Sequence, residues 1–209
     1  MLQNLQYYDN GLMRLDIPGE LWMTVGPTGG LAPTGKSMDE QIADYLKRRG
    51  IHQEFTYPIS KSELWSQISR PGNLKDCHPF CKDNEALEWD KNSHIDRLEY
   101  LNGMTYIRQF LNWNEGEGYD LIIGEENGLQ SYVVWQITEL NDNQSSLSIT
   151  VYPYLLANLN KALSFLPFVL YIRPKLQTYL KSVLRGFAYF VEHGQAVPRN
   201  HWGKHSWFS

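Results

Sequence analysis

The run from Pro174 to Gly194, PKLQTYLKSVLRGFAYFVEHG, limits what this chain can become more than any other stretch. Leu176, Leu180, Val183, Phe187 and Phe190 recur at alternating spacings of four and three, which is one face of a helix. Pro174 suits a first helical position, where its missing N–H is one the helix leaves unpaired anyway, and Gly194 suits a left-handed cap. Lys175, Thr178, Lys181, Ser182, Arg185 and Glu192 fall largely on the other side. At about 1.5 Å per residue the rod is roughly 30 Å long. Such a stripe needs a surface to bury it. The chain before it reads as strands, so the expected architecture is α+β: a curved antiparallel sheet around a long C-terminal helix, with a ligand or packed core between them.

The strands are punctuated by tight turns. Phe80–Trp89, His94–Leu101, Met104–Trp113, Tyr119–Glu125, Leu129–Leu140 and Ser146–Tyr152 are separated by turn signals, with Asn102-Gly103 and Asn127-Gly128 the strongest. Consecutive hairpins make a meander with one covered face. In the last strand Leu147, Ile149 and Val151 alternate with Ser148 and Thr150, which places the apolar set toward the helix. Upstream, IHQEFTYPI reads as a further strand with Ile51, Gln53, Phe55 and Tyr57 on one side. SKSELWSQIS reads as a helix opened by a capping box from Ser60 to Glu63, and NLKDCH as a short helical turn.

This divides the chain into an N-terminal extension over 1–50, a main domain over 51–194 and a surface tail over 195–209. The extension holds Asn10-Gly11 and Pro18-Gly19 turn signals for a hairpin, a Gly-rich loop, and a helix from Met38 to Arg49 capped by Ser37 and Glu40. Residues 155–172, LLANLNKALSFLPFVLYI, are apolar almost throughout and split by Pro167. They are read as a helical lid over one mouth of the cavity, with a core helix as the main alternative and interfacial membrane contact as a minor one, disfavoured because the segment's polar face lacks the basic residues such helices carry.

Charge and composition exclude some classes. A formal net charge of −4 without a basic run argues against a general nucleic-acid binder. No stretch reaches the roughly 18 apolar residues of a membrane span, and MLQNLQYYDNG lacks the start of a secretory signal. Two cysteines do not make a disulfide scaffold, so a cytoplasmic location is expected. The 13% of aromatic residues fits a large aromatic-lined interior and fits a sugar-binding or interaction surface too.

Two motifs are read against their bland alternatives. Gly30 to Ser37, GLAPTGKS, satisfies the spacing of a phosphate-cradling loop. The later strands are hairpin-linked, however, and Asp120 precedes its apolar run, so the parallel sheet that such a loop serves is missing. The expectation is a loop that happens to match. Cys77-His78-Pro79-Phe80-Cys81 gathers two thiols and an imidazole, but no second pair completes a zinc tetrahedron. No metal or cofactor is therefore expected. Cys77 and Cys81 are read as small buried hydrophobes, and His78 as fixing the turn into the next strand.

The order of strand, two short helices, hairpin strands and long C-terminal helix resembles the START-like (SRPBCC) superfamily, which includes polyketide cyclase/dehydrase and lipid-transport proteins. The residues that carry the resemblance are SKSELWSQISRPGNL, the HPF at 78–80 with Lys82 and Asn84 after it, NGMTYIRQFLNW, SYVVWQITEL and SSLSITVYP. The cyclase-like branch often has Trp-His-Pro where this chain has Cys77-His78-Pro79. The resemblance covers roughly 51–193 and implies a helix-grip fold around a hydrophobic cavity. It does not imply an enzyme, because carriers, sensors and cyclases share the fold.

Within that frame the candidate cavity-wall residues are Tyr106, Arg108, Trp113 and Trp135 on the strands, and Tyr179, Val183 and Phe187 on the helix. The expected partner is a small hydrophobic molecule, lipid-like or polyketide-like, held by a carrier or sensor. The alternatives are a polyketide cyclase or aromatase, whose cavity needs polar groups among apolar ones, and an interaction module that pairs through 1–50 or 155–172, as in a homodimer.

Overall fold

The computed structural model describes residues 5–7, 13–15, 37–126, 128–157 and 159–209. β1 (Leu5–Tyr7) and β2 (Met13–Leu15) pair antiparallel, with Leu5 opposite Leu15. Gly30 to Lys36 of the GLAPTGKS motif lie outside the described residues. Ser37 accepts the backbone N–H of Glu40 at 3.3 Å, while the Glu40 carboxylate accepts the N–H of Ser37, so the capping box opens α1 (Met38–Leu46).

A seven-stranded sheet follows. β3 (Ile51–Tyr57) is one edge, and β4 (Cys81–Trp89), β5 (His94–Tyr100), β6 (Thr105–Asn114), β7 (Gly118–Gly124), β8 (Gln130–Asn141) and β9 (Gln144–Tyr152) form the meander. The order is β3-β9-β8-β7-β6-β5-β4, antiparallel throughout. Leu147, Ile149 and Val151 of β9 are buried, as their alternation requires. Between β3 and β4 the chain forms α2 (Lys61–Ile68), opened by the Ser60–Glu63 capping box, and α3 (Leu74–Cys77).

The long helix differs from its sequence reading at its start. α4 (Lys161–Pro167) runs into a π-helical turn over Phe168–Ile172 and then into α5 (Arg173–His193). Pro167 therefore sits inside a helix rather than splitting two segments. A proline removes one ladder donor and crowds the carbonyl four residues back, and the wider π turn beside it is a common local adjustment of the ladder. Gly194, at φ 63°, ends α5 in the left-handed conformation. Leu176, Leu180, Val183 and Phe187 are buried against the sheet, joined by Leu184. Fully burying each of them contributes about 1.5–3 kcal/mol. The Tyr57 hydroxyl of β3 donates to the Leu184 carbonyl at 2.8 Å. Gly186 lets α5 approach α3, since a Cβ there would lie 1.9 Å from the Cys77 carbonyl oxygen.

Residues 195–209 run over the surface, as expected, but are anchored to the domain at several points. Val197 donates its N–H to Asp76 at 2.8 Å and Asn200 donates to Pro79 at 2.9 Å. His205 is wedged between the Lys175 carbonyl and the Trp207 N–H, and Val197, His205 and Phe208 are buried. The tail is thus stitched back across α3 and α5, a long-range contact that no local pattern announces. Among the described residues no helix is long and apolar enough to cross a membrane.

Candidate ligand cavity

Between the sheet and α5 lies a cavity of about 90 Å³. Tyr106, Arg108, Trp135, Tyr179 and Val183 line it, with apolar neighbours such as Leu98, Leu121, Ile149 and Leu180. Tyr100, His78, Ser131 and Phe208 also line it and were not among the cavity-wall candidates read from sequence. His78 had a visible signal, its place before Pro79. Phe208 had none.

Trp113 and Phe187 lie elsewhere. β6 has a register shift between Phe110 and Asn112, the position of a bulge. It turns Trp113 to the side of Phe110 and Tyr119, under α2. There its ring meets Trp65 edge-on at 5.3 Å, stacks on His94 at 3.9 Å and stacks on Tyr119 at 5.3 Å. Phe187 is fully buried and packs edge-on against Trp135 at 5.6 Å, so it supports the wall from behind. Residues 155–172 contribute nothing to the lining, so that segment extends the helix and is not a lid over this cavity.

The charged pair in the wall comes from neighbouring strands. Arg108 of β6 sits opposite Asp96 of β5 in register. Its Nε donates to Asp96 Oδ1 at 2.7 Å and its Nη2 to Oδ2, with the two side chains 3% and 0% exposed. Burial acts to push the Arg108 pKa down, but the facing carboxylate overcomes it and holds the guanidinium charged. The pair presents a nearly neutral wall, because each charge is met by the other.

Beside it runs a hydrogen-bonded chain. The Phe80 N–H donates to His78 Nδ1 at 3.1 Å. Burial, with Arg108 and Arg199 nearby, pushes His78 down to about 3, so the ring is neutral. With Nδ1 accepting, the single ring hydrogen sits on Nε2, which donates to the Tyr179 hydroxyl at 2.9 Å. Tyr179 and Tyr100 hydroxyls share one further bond at 3.1 Å. Three hydrogens thus serve two bonds. One hydroxyl hydrogen is left without an acceptor among these three groups, in a wall otherwise dominated by carbon. Burial pushes Tyr179 up to about 12 and raises Tyr100 well above the ordinary tyrosine value, so both hydroxyls keep their protons.

Cys77 and Cys81 are free and fully buried, and burial pushes both thiols up to about 12. They pack as hydrophobes, not as reactive thiolates.

No family model matches the chain, and no curated protein matches it. Solved structures do. A START superfamily protein from Mycobacterium smegmatis aligns over 70% of this chain and 99% of its own, at 12% identity and a TM-score of 0.53. The Zhui aromatase/cyclase from a Streptomyces species aligns over 71% and 99%, at 15% identity and a TM-score of 0.51. The di-domain ARO/CYC BexL aligns over 69% of this chain and 46% of its own, at 9% identity and a TM-score of 0.56. The sheet order, the long C-terminal helix laid across it and these likenesses together show that the chain has the START-like helix-grip fold.

Proposed function

We propose that this protein binds a small, neutral, mostly apolar molecule carrying a hydrogen-bond acceptor oxygen, as a carrier or sensor. The observation that carries this reading is the surplus hydroxyl hydrogen of the His78–Tyr179–Tyr100 chain. A buried donor without an acceptor costs about 1–3 kcal/mol, and a carbonyl or ether oxygen in the cavity recovers it. The mutual neutralisation of Arg108 and Asp96 favours a neutral ligand over an anion. The reduced, buried Cys77 and Cys81 fit a cytoplasmic protein.

At about 90 Å³ the cavity is well below the roughly 300–1,000 Å³ of sites for drug-sized ligands. The resting form therefore takes a compact ligand or opens for a larger one. Cyclohexanone and the similarly sized methylcyclohexane test the reading by NMR titration and infrared spectroscopy. Bound cyclohexanone should show its carbonyl stretch lowered from the value in hexane, with contacts to the Tyr100 and Tyr179 rings. A ketone that does not bind, or binds with its band at the hexane position, sinks the reading.

A second reading is an enzyme of the cyclase or aromatase type. It draws on the same groups in another role, since a hydroxyl hydrogen held beside an apolar hollow can polarise a substrate carbonyl, whereas His78 and Tyr179 themselves titrate far from neutral pH and are not suited to proton transfer. A polyketide-like compound recovered unchanged by mass spectrometry after incubation favours the carrier, and a cyclised product favours the enzyme.

A further inference from the structure

The helical segment that leaves the cavity alone exposes an unusual amount of carbon. Leu163, Leu166 and Leu170 lie three and four residues apart and are 75%, 62% and 72% exposed, with Phe165 and Tyr171 half-exposed beside them. The three leucines cover one outward face of α4 and the π turn. Single exposed leucines need no explanation, but a contiguous row on one helix does.

The stretch of sequence that carries the row is basic although the protein is acidic. Between Asp142 and Glu192 the chain has no acidic residue and five basic ones, Lys161, Arg173, Lys175, Lys181 and Arg185, against a net charge of −4 for the whole. The end of α1 adds more. Arg49 lies over the Phe165 and Phe168 rings at 5.2 and 5.8 Å. Lys47, Arg48 and Arg49 line an open cleft of about 320 Å³ whose other wall is Leu155, Leu159 and Phe168. The acidic group there, Asp44, bonds Lys47 at 2.6 Å. By its own sequence the helix lacks the basic face of an interfacial helix; the fold supplies it from α1.

We propose that this face docks on an anionic lipid bilayer. Leu163, Leu166 and Leu170 enter the boundary between headgroups and acyl chains, and Lys47 and Arg49 at the end of α1 meet the headgroup phosphates, while Arg48 between them is held by the Gln130 carbonyl at 2.7 Å. A second copy is the poorer occupant. A two-fold contact through the leucine row would bring two cationic collars toward each other, where like charges repel. The proposal does not depend on what the cavity holds.

Flotation of the full chain with vesicles tests it, using phosphatidylcholine alone and phosphatidylcholine with about one-third phosphatidylserine. Binding is expected to the anionic vesicles, to weaken in high salt, and to be far weaker on the neutral ones. Replacing Leu163→Ser together with Leu170→Ser should lower partitioning about tenfold or more. Lys47→Gln should lower it about fivefold. All three side chains are exposed, so circular dichroism should match the parent. Four results overturn the proposal: no flotation with anionic vesicles; flotation indifferent to the leucine changes; a solution dimer that Leu163→Ser dissolves; or a Leu163→Cys thiol in the full chain that maleimide cannot reach because residues 1–36 cover it.

Discussion

Two histidines, His94 on β5 and His78 at the end of α3, show how differently two regions of the same core are used. Under α2, His94 lies flat on Trp113, and Trp65, Trp89, Phe110 and Tyr119 close around them in stacked and edge contacts. Space there is filled by rings, and specificity comes from shape. In the cavity wall, His78 is held at both nitrogens and begins a chain of hydroxyls beside a buried ion pair. Space there is left open, and the groups around it have fixed donors. Burial lowers the pKa of both rings, but only His78, fully enclosed, is driven to about 3. A region whose polar groups are locked while its volume is unfilled is suited to a ligand; a region filled by rings is suited to holding the layers together.

The largest effect should come from breaking the ion pair. Arg108→Leu leaves Asp96 buried and uncompensated, and the urea midpoint should report a loss of about 3–5 kcal/mol. Adding Asp96→Leu should return most of that, because a packed apolar pair replaces a buried ionic one at little net cost. If the double variant is no better than the single, the pair does more than neutralise itself.

Next in size is Phe208→Ala. The Phe208 ring packs on Tyr100 at 4.6 Å and Tyr179 at 4.4 Å, and it is the tail's contribution to the cavity wall. Truncation should cost about 3 kcal/mol. It should also enlarge the cavity and raise the affinity for cyclohexanone or a bulkier ketone. Stability loss without a gain in binding would assign Phe208 to packing alone.

The pH dependence separates the two histidines. His78 binds a proton in the unfolded chain below its ordinary value of 6.5 but in the folded protein only near 3. Its contribution to stability is therefore in place above pH 6.5 and is lost as pH falls toward 3. The slope approaches ~1.4 kcal/mol per pH unit for one proton. His78→Gln should flatten the acid side of the urea profile by that one proton, while His94→Gln should change it far less.

The smallest effect is expected in the aromatic cluster. Trp113→Phe keeps an edge contact with Trp65 and should cost about 1–2 kcal/mol, leaving ketone binding unchanged. A binding change there would mean that the two regions are coupled.

Much of the fold was legible because its signals are local. The stripe of Leu176, Leu180, Val183 and Phe187, the left-handed Gly194, the two capping boxes and the alternation of Leu147, Ile149 and Val151 each rest on periods of a few residues. The cavity wall was legible in part. Tyr106, Arg108 and Trp135 could be placed on strands, and Tyr179 and Val183 on the helix, since alternation and helical spacing assign faces. Trp113 shares the cavity-side face of the sheet, because the bulge in β6 brings it opposite Tyr119, but it lies further along the strand, where Trp65 of α2 covers it; a face can be assigned from alternation, whereas the reach of the cavity along a strand cannot.

The sequence by itself determined that an amphipathic helix must lie across a meander of hairpins, because turn chemistry and hydrophobic period act between neighbours in the chain. Only the tertiary structure decided that Asp96 neutralises Arg108, that His78 reaches Tyr179, that Phe208 returns to line the cavity, and that α1 lends its cations to α4. Each of these joins residues whose meeting depends on strand register, sheet curvature or a stitched-back terminus. Those are set by the balance of the whole core and not by the residues on either side.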